Sequence, residues 1–455
     1  MSFDRRAFLA SGLAVAASAT ASAQGRKPAP DALPSTRGLN AAEFGLYPGS
    51  DADQSGSLQR AIDAAASTRV PLALAPGTYR AAGLNLPAAA HIVAARGSVR
   101  IRAAVAQPIL IARAADGVTL DGLVFDGGGH KLPENTGLIM LANGKRVRLR
   151  DCEIIDAGGD GLRIEGIGGE VSAIAVLGAA DTAILSIDAR GLTLRGNEVR
   201  DAGKNGIQIV RSTPGDDGTL VVDNRIADIR NRAGGSGQYG NGINAFRAGN
   251  VIVRGNVIAA CAFSAVRGNS SSNIHIEGNS ASDIGDIAYY VDFAFAGAVI
   301  ANNMVARAQG GVSVTNFNNG GHLAVVHGNV LRDIVPRGAA PPPEENYCNG
   351  IHVEADTAVT GNVIERADAV GILAGWGDYL RDVAITGNVV REASIGIGVS
   401  ATRGAGAATV SANVISKARR GAIFGMDHLR PITKDLTAAE AQAPANMTLS
   451  GNRAG

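Results

Sequence analysis

Thr360-Gly361-Asn362-Val363-Ile364, a polar stretch, Gly371-Ile372-Leu373-Ala374, a second polar stretch, then Thr386-Gly387-Asn388-Val389-Val390: this is one phrase of a repeat. Its Asn slot recurs at Asn197, Asn224, Asn256, Asn279, Asn303, Asn329, Asn362, Asn388, Asn413 and Asn452. The steps are 27, 32, 23, 24, 26, 33, 26, 25 and 39 residues. A period of about 20–50 residues sets the architecture before any single residue is read.

Within one repeat the apolar runs are short, β-branched and bounded by Gly, Asn and Asp, which is a strand pattern with too little helical period for a helix. Gly and Asn accept left-handed backbone angles, so the Gly-Asn pair before each strand reads as a bend. Short strand, bend, short strand, bend describes one coil of a parallel β-helix. Each strand then pairs with its copy in the next coil, about 4.8 Å along the axis. The fold expected is all-β: a single-stranded parallel β-helix with an N-terminal capping helix, whose right-handed winding is implied by the family resemblance given below. Asn side chains stacked coil on coil can form an amide ladder inside the bend, so these Asn residues read as structural.

The composition agrees. Of 455 residues, 60 are Gly and only 4% are aromatic, which suits narrow coils whose bends need Gly; the glycines lack the three-residue period of collagen. A net charge of +1 implies no bulk attraction to nucleic acid or anionic membrane. Cys152, Cys261 and Cys348 fall in well-separated coils. Cα atoms more than about 7 Å apart cannot be bridged, so they read as buried small apolar residues.

Residues 1–23 read as an export signal. Arg5-Arg6 precede Phe8-Leu9, an Ala-rich run follows, and Ala21-Ser22-Ala23 is a cleavage site. The run is too short and too weakly apolar to span a bilayer, and no Cys follows for a lipid anchor. Residues 24–37 are a Pro-rich linker. Residues 38–83 form the N-terminal cap: Ser57 to Ala65 have helical apolar spacing after a Ser/Asp-rich start, an N-capped helix. The strand Val70–Tyr79 follows. Asp51, Asp53 and Ser55 match the first half of a Ca²⁺ loop, but its twelfth position is Ile62 where a bidentate Glu is needed; capping is the better reading. Residues 84–430 are coils, and 431–455 form a C-terminal cap with one last bend at Gly451-Asn452. Longer inserts fall at Thr213–Gly218, Asn231–Tyr239, Asn316–Gly321 and Pro336–Tyr347. The last, with Pro341 to Asn346, is the expected lid or wall.

One strand per coil opens on a Gly-Ile-like step, and its alternate residues share the outward face. Coil by coil that face reads Arg163 and Glu165; Gln208 and Val210; Asn244 and Phe246; Arg267 and Asn269; Tyr290 and Asp292; Ser313 and Thr315; His352 and Glu354; then Leu373, Gly398 and Ile423. Polarity concentrates in the middle coils. Flanking bends add Lys204, Asn205, Tyr239, Asn241 and Asn349.

Three resemblances attach to these residues. Arg5-Arg6 with Phe8-Leu9 resembles a twin-arginine signal peptide, which implies export of a folded chain by the twin-arginine translocase to the periplasm or beyond. The helix followed by Pro76-Gly77-Thr78-Tyr79 resembles the opening of pectate-lyase-superfamily β-helices, where the helix plugs the first coil. The signal plus the Gly-Asn repeats resembles a group of exported bacterial repeat proteins of unassigned activity. More broadly the chain resembles right-handed parallel β-helix proteins: polysaccharide lyases, uronate epimerases, glycoside hydrolases and phage tailspikes. Fold follows from such resemblance; function must be argued from a site.

The outward face suits proton transfer at a sugar ring. Arg grips carboxylates, and Tyr, His or Lys can move a proton. The reading assigns Arg267 as carboxylate clamp, Tyr290 as acid or base, Asp292 as its orienting partner, and His352 or Lys204 as alternative bases. Gln208, Asn244, Asn269 and Glu354 on the face, with Lys204, Tyr239 and Asn241 beside it, would bind substrate. A hydrolase would need two carboxylates about 5–5.5 or 6.5–9.5 Å apart, which Asp292 and Glu354 could supply. The paired-Asp and Gly-His-Gly motifs of polygalacturonases and the Asp-Pro-His motif of uronate epimerases are absent. No metal, cofactor, nucleotide or serine-hydrolase motif occurs. Two functions result. One is an exported enzyme acting on polysaccharide, with lyase or C5-epimerase chemistry on an acidic glycan. The other is a non-catalytic envelope solenoid that binds a glycan or another protein. Neither involves nucleic acid or a membrane span in the mature chain.

Overall fold

The structure, a computed structural model, describes residues 38–337 and 348–455. The signal and linker readings at 1–37, and nearly all of the Pro336–Tyr347 insert, lie outside the described residues.

Three parallel sheets run the length of the described chain, and each coil contributes a strand to each. The register is regular. In the first sheet Ile207–Asp216 pairs with Ile243–Gly249, which pairs with Val266–Asn269. In the second, Leu220–Val222 pairs with Ile252–Arg254 and that with Ile274–Glu277. In the third, Arg225–Ile229 pairs with Val257–Cys261 and that with the first part of Ser280–Asp292, whose last part turns into the first sheet and pairs with Val266–Asn269. The result is a parallel β-solenoid of about fourteen turns. The core is the stack of inward residues: Ile209, Ala245 and Val291 of the first sheet, for example, are fully buried. The three cysteines are buried and free, and burial pushes the Cys152 thiol up to about 12.

The Asn ladder is present, and its bonds explain the sequence. From Asn197 to Asn413, each Asn donates its backbone N–H and its side-chain Nδ2 to the Oδ1 of the next Asn, at 2.9–3.1 Å. Nδ2 also reaches a backbone carbonyl, as from Asn329 to Ile300 at 2.9 Å. A buried bend leaves peptide groups without strand partners, and only a side chain carrying both donor and acceptor can satisfy them and its own copy at once.

The cap helix spans Ser55–Thr68 and buries Leu58, Ala61, Ile62 and Ala65. It starts two residues before the apolar spacing suggests. Asp53 Oδ1 accepts from Ser55 N–H at 2.8 Å, while Gln54, at the cap position, uses its amide to tie both backbone groups of Tyr47. At the other end, Met447–Ser450 and Arg453–Ala454 extend the second and third sheets. Among the described residues no helix is long and apolar enough to cross a membrane.

Two alignments of the outward face need correction. A further coil, Ile184–Ile187, lies between those of Arg163 and Gln208, so Arg163 pairs with Leu185 and Leu185 with Gln208. Past Gly398 the outward residue is Phe424; Ile423 pairs with Ile397 and is fully buried. Ala422 replaces Gly at the opening of that strand, and counting from Gly421 shifts the face by one.

Candidate active-site groove

Register alone lines up the central residues. Gln208 pairs with Asn244, Asn244 with Arg267, Arg267 with Tyr290, Tyr290 with Ser313, and Ser313 with His352. Two residues on, Asn269 pairs with Asp292. These side chains open on two cavities that share Arg267, Ser236 and Phe293. One, of about 610 Å³, is lined by Arg267, Tyr290, Asp292, His352 and Glu354 among others. The second, of about 380 Å³, is lined by Gln208, Tyr239, Asn244 and Asn269 with the same three.

The walls come from the bends. One rim is the insert at 231–240, which is anchored by the groove itself. Asn205 and Asn244 donate to the Gln238 carbonyl at 3.1 and 3.2 Å, and Arg267 Nη1 donates to the Gly237 carbonyl at 2.7 Å. Gly237 has φ +118, and a Cβ there would lie 2.2 Å from Arg267 Nη1, so the close approach requires Gly. The other rim carries Phe293 and Asn316, two members of a file of left-handed corner residues that continues through Ser270 and Arg247. Phe293 is 41% exposed at φ 60, a conformation a bulky side chain rarely takes.

Arg267 directs its fork at Asp292: Nη2 bonds Oδ2, and Nε approaches Oδ1 at 3.4 Å. Burial disfavours the Arg267 charge, but Asp292 more than offsets it and the guanidinium is held above its usual range. Burial raises the fully enclosed Asp292 carboxyl, with the Arg267 charge opposing. Asp292 therefore orients Arg267, not Tyr290, and three of the five Arg267 N–H groups are engaged, leaving two. The Tyr290 ring lies 5.1 Å from the guanidinium carbon. Burial first, then the nearby Asp292 charge, pushes the Tyr290 pKa up against the opposing Arg267 charge, so it stays a neutral phenol.

Glu354 is 6% exposed. Its Oε2 accepts from Phe317 N–H at 2.7 Å, yet burial outweighs that bond and pushes the carboxyl to about 7. His352 is pulled the other way, to about 4, by burial, so its imidazole is neutral at pH 7. Its Nε2 lies 3.4 Å from the Gly375 carbonyl, and its ring centroid lies 6.0 Å from that of Trp376.

Two other sequence candidates are placed elsewhere. Lys204 lines neither cavity; it pairs with Asp181 at 3.0 Å. Burial works against its charge, but Asp181 holds its pKa up, which removes it as a base. Asn241 is fully buried. It donates to Asn205 Oδ1 and the Gly237 carbonyl and accepts from Ser264 N–H, so it braces the wall and has no surface for a ligand. Tyr239 and Gln208 line the second cavity; Gln208 Oε1 accepts from Asn205 at 3.1 Å. Asn244 Oδ1 is buried with no hydrogen-bond partner, an orphaned acceptor in the floor beneath the second cavity. Phe263, Asp286, Phe293, Asn316 and Trp376 were not found from the sequence. Phe263, Phe293 and Asn316 sit at corners between strands, and Asp286 lies in Ser280–Asp292 where the register shifts; side chains at such places change from coil to coil, so the repeat does not single them out. Trp376, the one Trp in the chain, could have been singled out by that rarity.

The cavity thus combines a neutral phenol, a neutral imidazole and a carboxyl that titrates near neutrality. Beside them are an arginine with spare donors, exposed rings, and amides with open positions. That set can bind hydroxylated rings and move a proton. Among the described residues no cluster of His, Cys, Asp and Glu could hold a metal ion.

Residues 169–388, just under half of the chain, match the family described as "Right handed beta helix region", and the winding is right-handed. No curated protein matches the sequence. Among solved structures, the chain is similar to the N-terminal fragment of bacteriophage phi29 gene product 12, at 13% identity and TM-score 0.59, over 90% of this chain and 74% of that one. It is also similar to tailspike protein 2 of Escherichia coli O157:H7 bacteriophage CAB120, at 14% identity and TM-score 0.50, over 71% of this chain and 42% of that one. The A-module of the Azotobacter vinelandii mannuronan C-5 epimerase AlgE6 aligns at 15% identity and TM-score 0.47, over 91% of this chain and 99% of that one. At such identities the likeness is one of fold.

Proposed function

We propose that the groove binds a polysaccharide strand along the solenoid axis and moves a proton at one sugar ring, by β-elimination or C5 epimerisation of a uronate. The observation that carries this reading is Glu354, an almost fully buried carboxyl titrating at about 7 in the same cavity as Tyr290 and Arg267. A base is most useful when its pKa lies near the working pH. In the proposed step the Glu354 carboxylate takes the C5 proton. The two spare N–H groups of Arg267 hold the substrate carboxylate as charge moves onto it. The Tyr290 phenol protonates the leaving O4 in elimination, or C5 from the opposite face in epimerisation. Tyr290 and Glu354 lie two coils and two strand positions apart, about 12 Å between backbones, which leaves room for a ring between the side chains.

Hydrolysis fits less well. The Asp292–Glu354 pair read from the sequence does not meet the need for a second carboxylate free to attack or to activate water, because Asp292 is enclosed with Arg267 on both oxygens. The twin-arginine signal read at Arg5-Arg6 extends the proposal: the substrate would be a glycan outside the cytoplasm, in the envelope or beyond it.

The test is to incubate the mature protein with alginate, pectate and glycosaminoglycans, following ultraviolet absorbance of unsaturated uronate and NMR for C5 inversion. Turnover that vanishes in Glu354→Gln supports the reading. Binding with no turnover on any acidic glycan would leave a glycan-binding solenoid instead.

A further inference from the structure

The groove does not end where its reactive cavity ends. On the same sheet, toward the cap, lies a third cavity of about 450 Å³, lined by Gln107, Ile111, Thr136, Met140, Arg163 and Glu165 among others. Register joins it to the groove without a break. Ile111 pairs with Met140, Met140 with Arg163, Arg163 with Leu185, Leu185 with Gln208, and Gln208 with Asn244. Arg163 is four coils from Arg267, about 19 Å along the axis. The coil between the cavities presents half-buried Leu185 and Ile187, an apolar step in the same file.

The chemistry of this cavity suits a sugar. Ile111 and Met140 form an apolar floor for the C–H face of a pyranose. Gln107, Thr136, Arg163 and Glu165 offer donors and acceptors at its edge. Arg163 is steadied by Asp160 at 3.3 Å, and Asp160 is steadied in turn by Thr182 N–H at 3.1 Å. The lining holds no Tyr, His or Lys, so the phenol and imidazole of the reactive groove have no counterpart there.

We infer that this third cavity is a remote subsite for the same polysaccharide strand, holding sugars several residues from the one that reacts. This rests on the proposed function of the groove. A strand that reaches both cavities is tethered at two points, so the second contact is intramolecular and affinity rises with chain length. Binding energy gained far from the reacting ring can also serve the reaction itself.

The experiment measures affinity by calorimetry for size-fractionated acidic oligosaccharides, from lengths that fill only the reactive cavity to lengths that reach Met140. It compares wild type, Ile111→Ser/Met140→Ser and the exposed-site variant Glu165→Ala. The first two side chains are only half-buried and Glu165 is exposed, and thermal unfolding checks that each variant is folded. Wild type should gain at least about tenfold in affinity once chains span both cavities. The double variant should lose that gain and bind short chains as before, with Glu165→Ala intermediate. Equal affinity for all lengths in wild type, with turnover present, overturns the remote subsite and leaves the reactive groove standing. The same holds if the variants weaken short and long chains alike. A wild type that binds no acidic oligosaccharide of any length overturns both.

Discussion

Glu354 ties stability to activity in one side chain. Its carboxyl titrates at about 7 in the folded chain against an ordinary 4.5. The unfolded chain therefore ionises first, and folding stability falls as pH rises from about 4.5 to 7, then levels off. Glu354→Gln, which stays neutral and can still accept from Phe317, should be more stable than wild type by about 3 kcal/mol at pH 8 and about equal at pH 4. Chemical denaturation at the two pH values checks this. Turnover runs the opposite way: the base must be ionised, so kcat/KM on an acidic glycan should fall about tenfold per pH unit below 7. A profile flat from pH 5 to 8 would count against Glu354 as the base.

The Arg267–Asp292 pair is the other residue-scale test. Arg267→Ala strands a fully enclosed carboxylate and should cost about 3–5 kcal/mol. Replacing both, Arg267→Met with Asp292→Leu, should recover most of that stability in equilibrium unfolding while abolishing turnover. Recovery of stability with activity intact would show that the pair only holds the fold together.

At the scale of the element, the Asn ladder is a chain of identical bonds with an interior and an end. Asn329→Ala removes the side chain that accepts from both donors of Asn303 and donates to Asn362 and Ile300. Several buried groups are then left unpaired at about 1–3 kcal/mol each, so the loss should be at least about 3 kcal/mol. Asn452, at the end of the ladder and only half-buried, has no successor to donate to, and Asn452→Ala should cost less than half as much. Equal losses in urea titration would mean the ladder is not cooperative along its length. The 231–240 insert is an element of a different kind: Asn205, Asn241, Asn244 and Arg267 all bond its backbone, so the wall and the floor of the groove are braced by each other.

For the whole molecule, each coil touches only its neighbours, so stability is local and the ends matter most. Leu58→Asp in the cap helix puts a charge at a fully buried position over the first coils. It should raise amide exchange in the N-terminal coils and drive association through the exposed sheet edge, while coils around Asn362 keep their protection. Exchange mass spectrometry with light scattering reads both. Uniform loss of protection would show a single cooperative unit instead.

The solenoid was legible because the repeat writes the same physical demand at each turn: a buried bend needs Asn, a narrow corner needs Gly, and alternate positions need apolar side chains. The file from Gln208 to His352 was legible for the same reason, since equivalent positions in successive coils must stack. The breaks in that regularity were not. The Leu185 coil lacks the Gly-Ile opening, and in the Phe424 strand Ala422 stands in the Gly slot, so counting from motifs slipped there. Sequence by itself therefore determined the fold, the ladder and which face carries the polar residues, because these follow from periodicity and local conformational preference. Only the tertiary structure decided what that face can do. Burial set Glu354 near neutrality, Asp292 claimed Arg267, Asp181 claimed Lys204, and the inserts that wall the groove found their places. Each of these depends on distance and solvent exclusion between residues far apart in the chain, quantities no repeat pattern encodes.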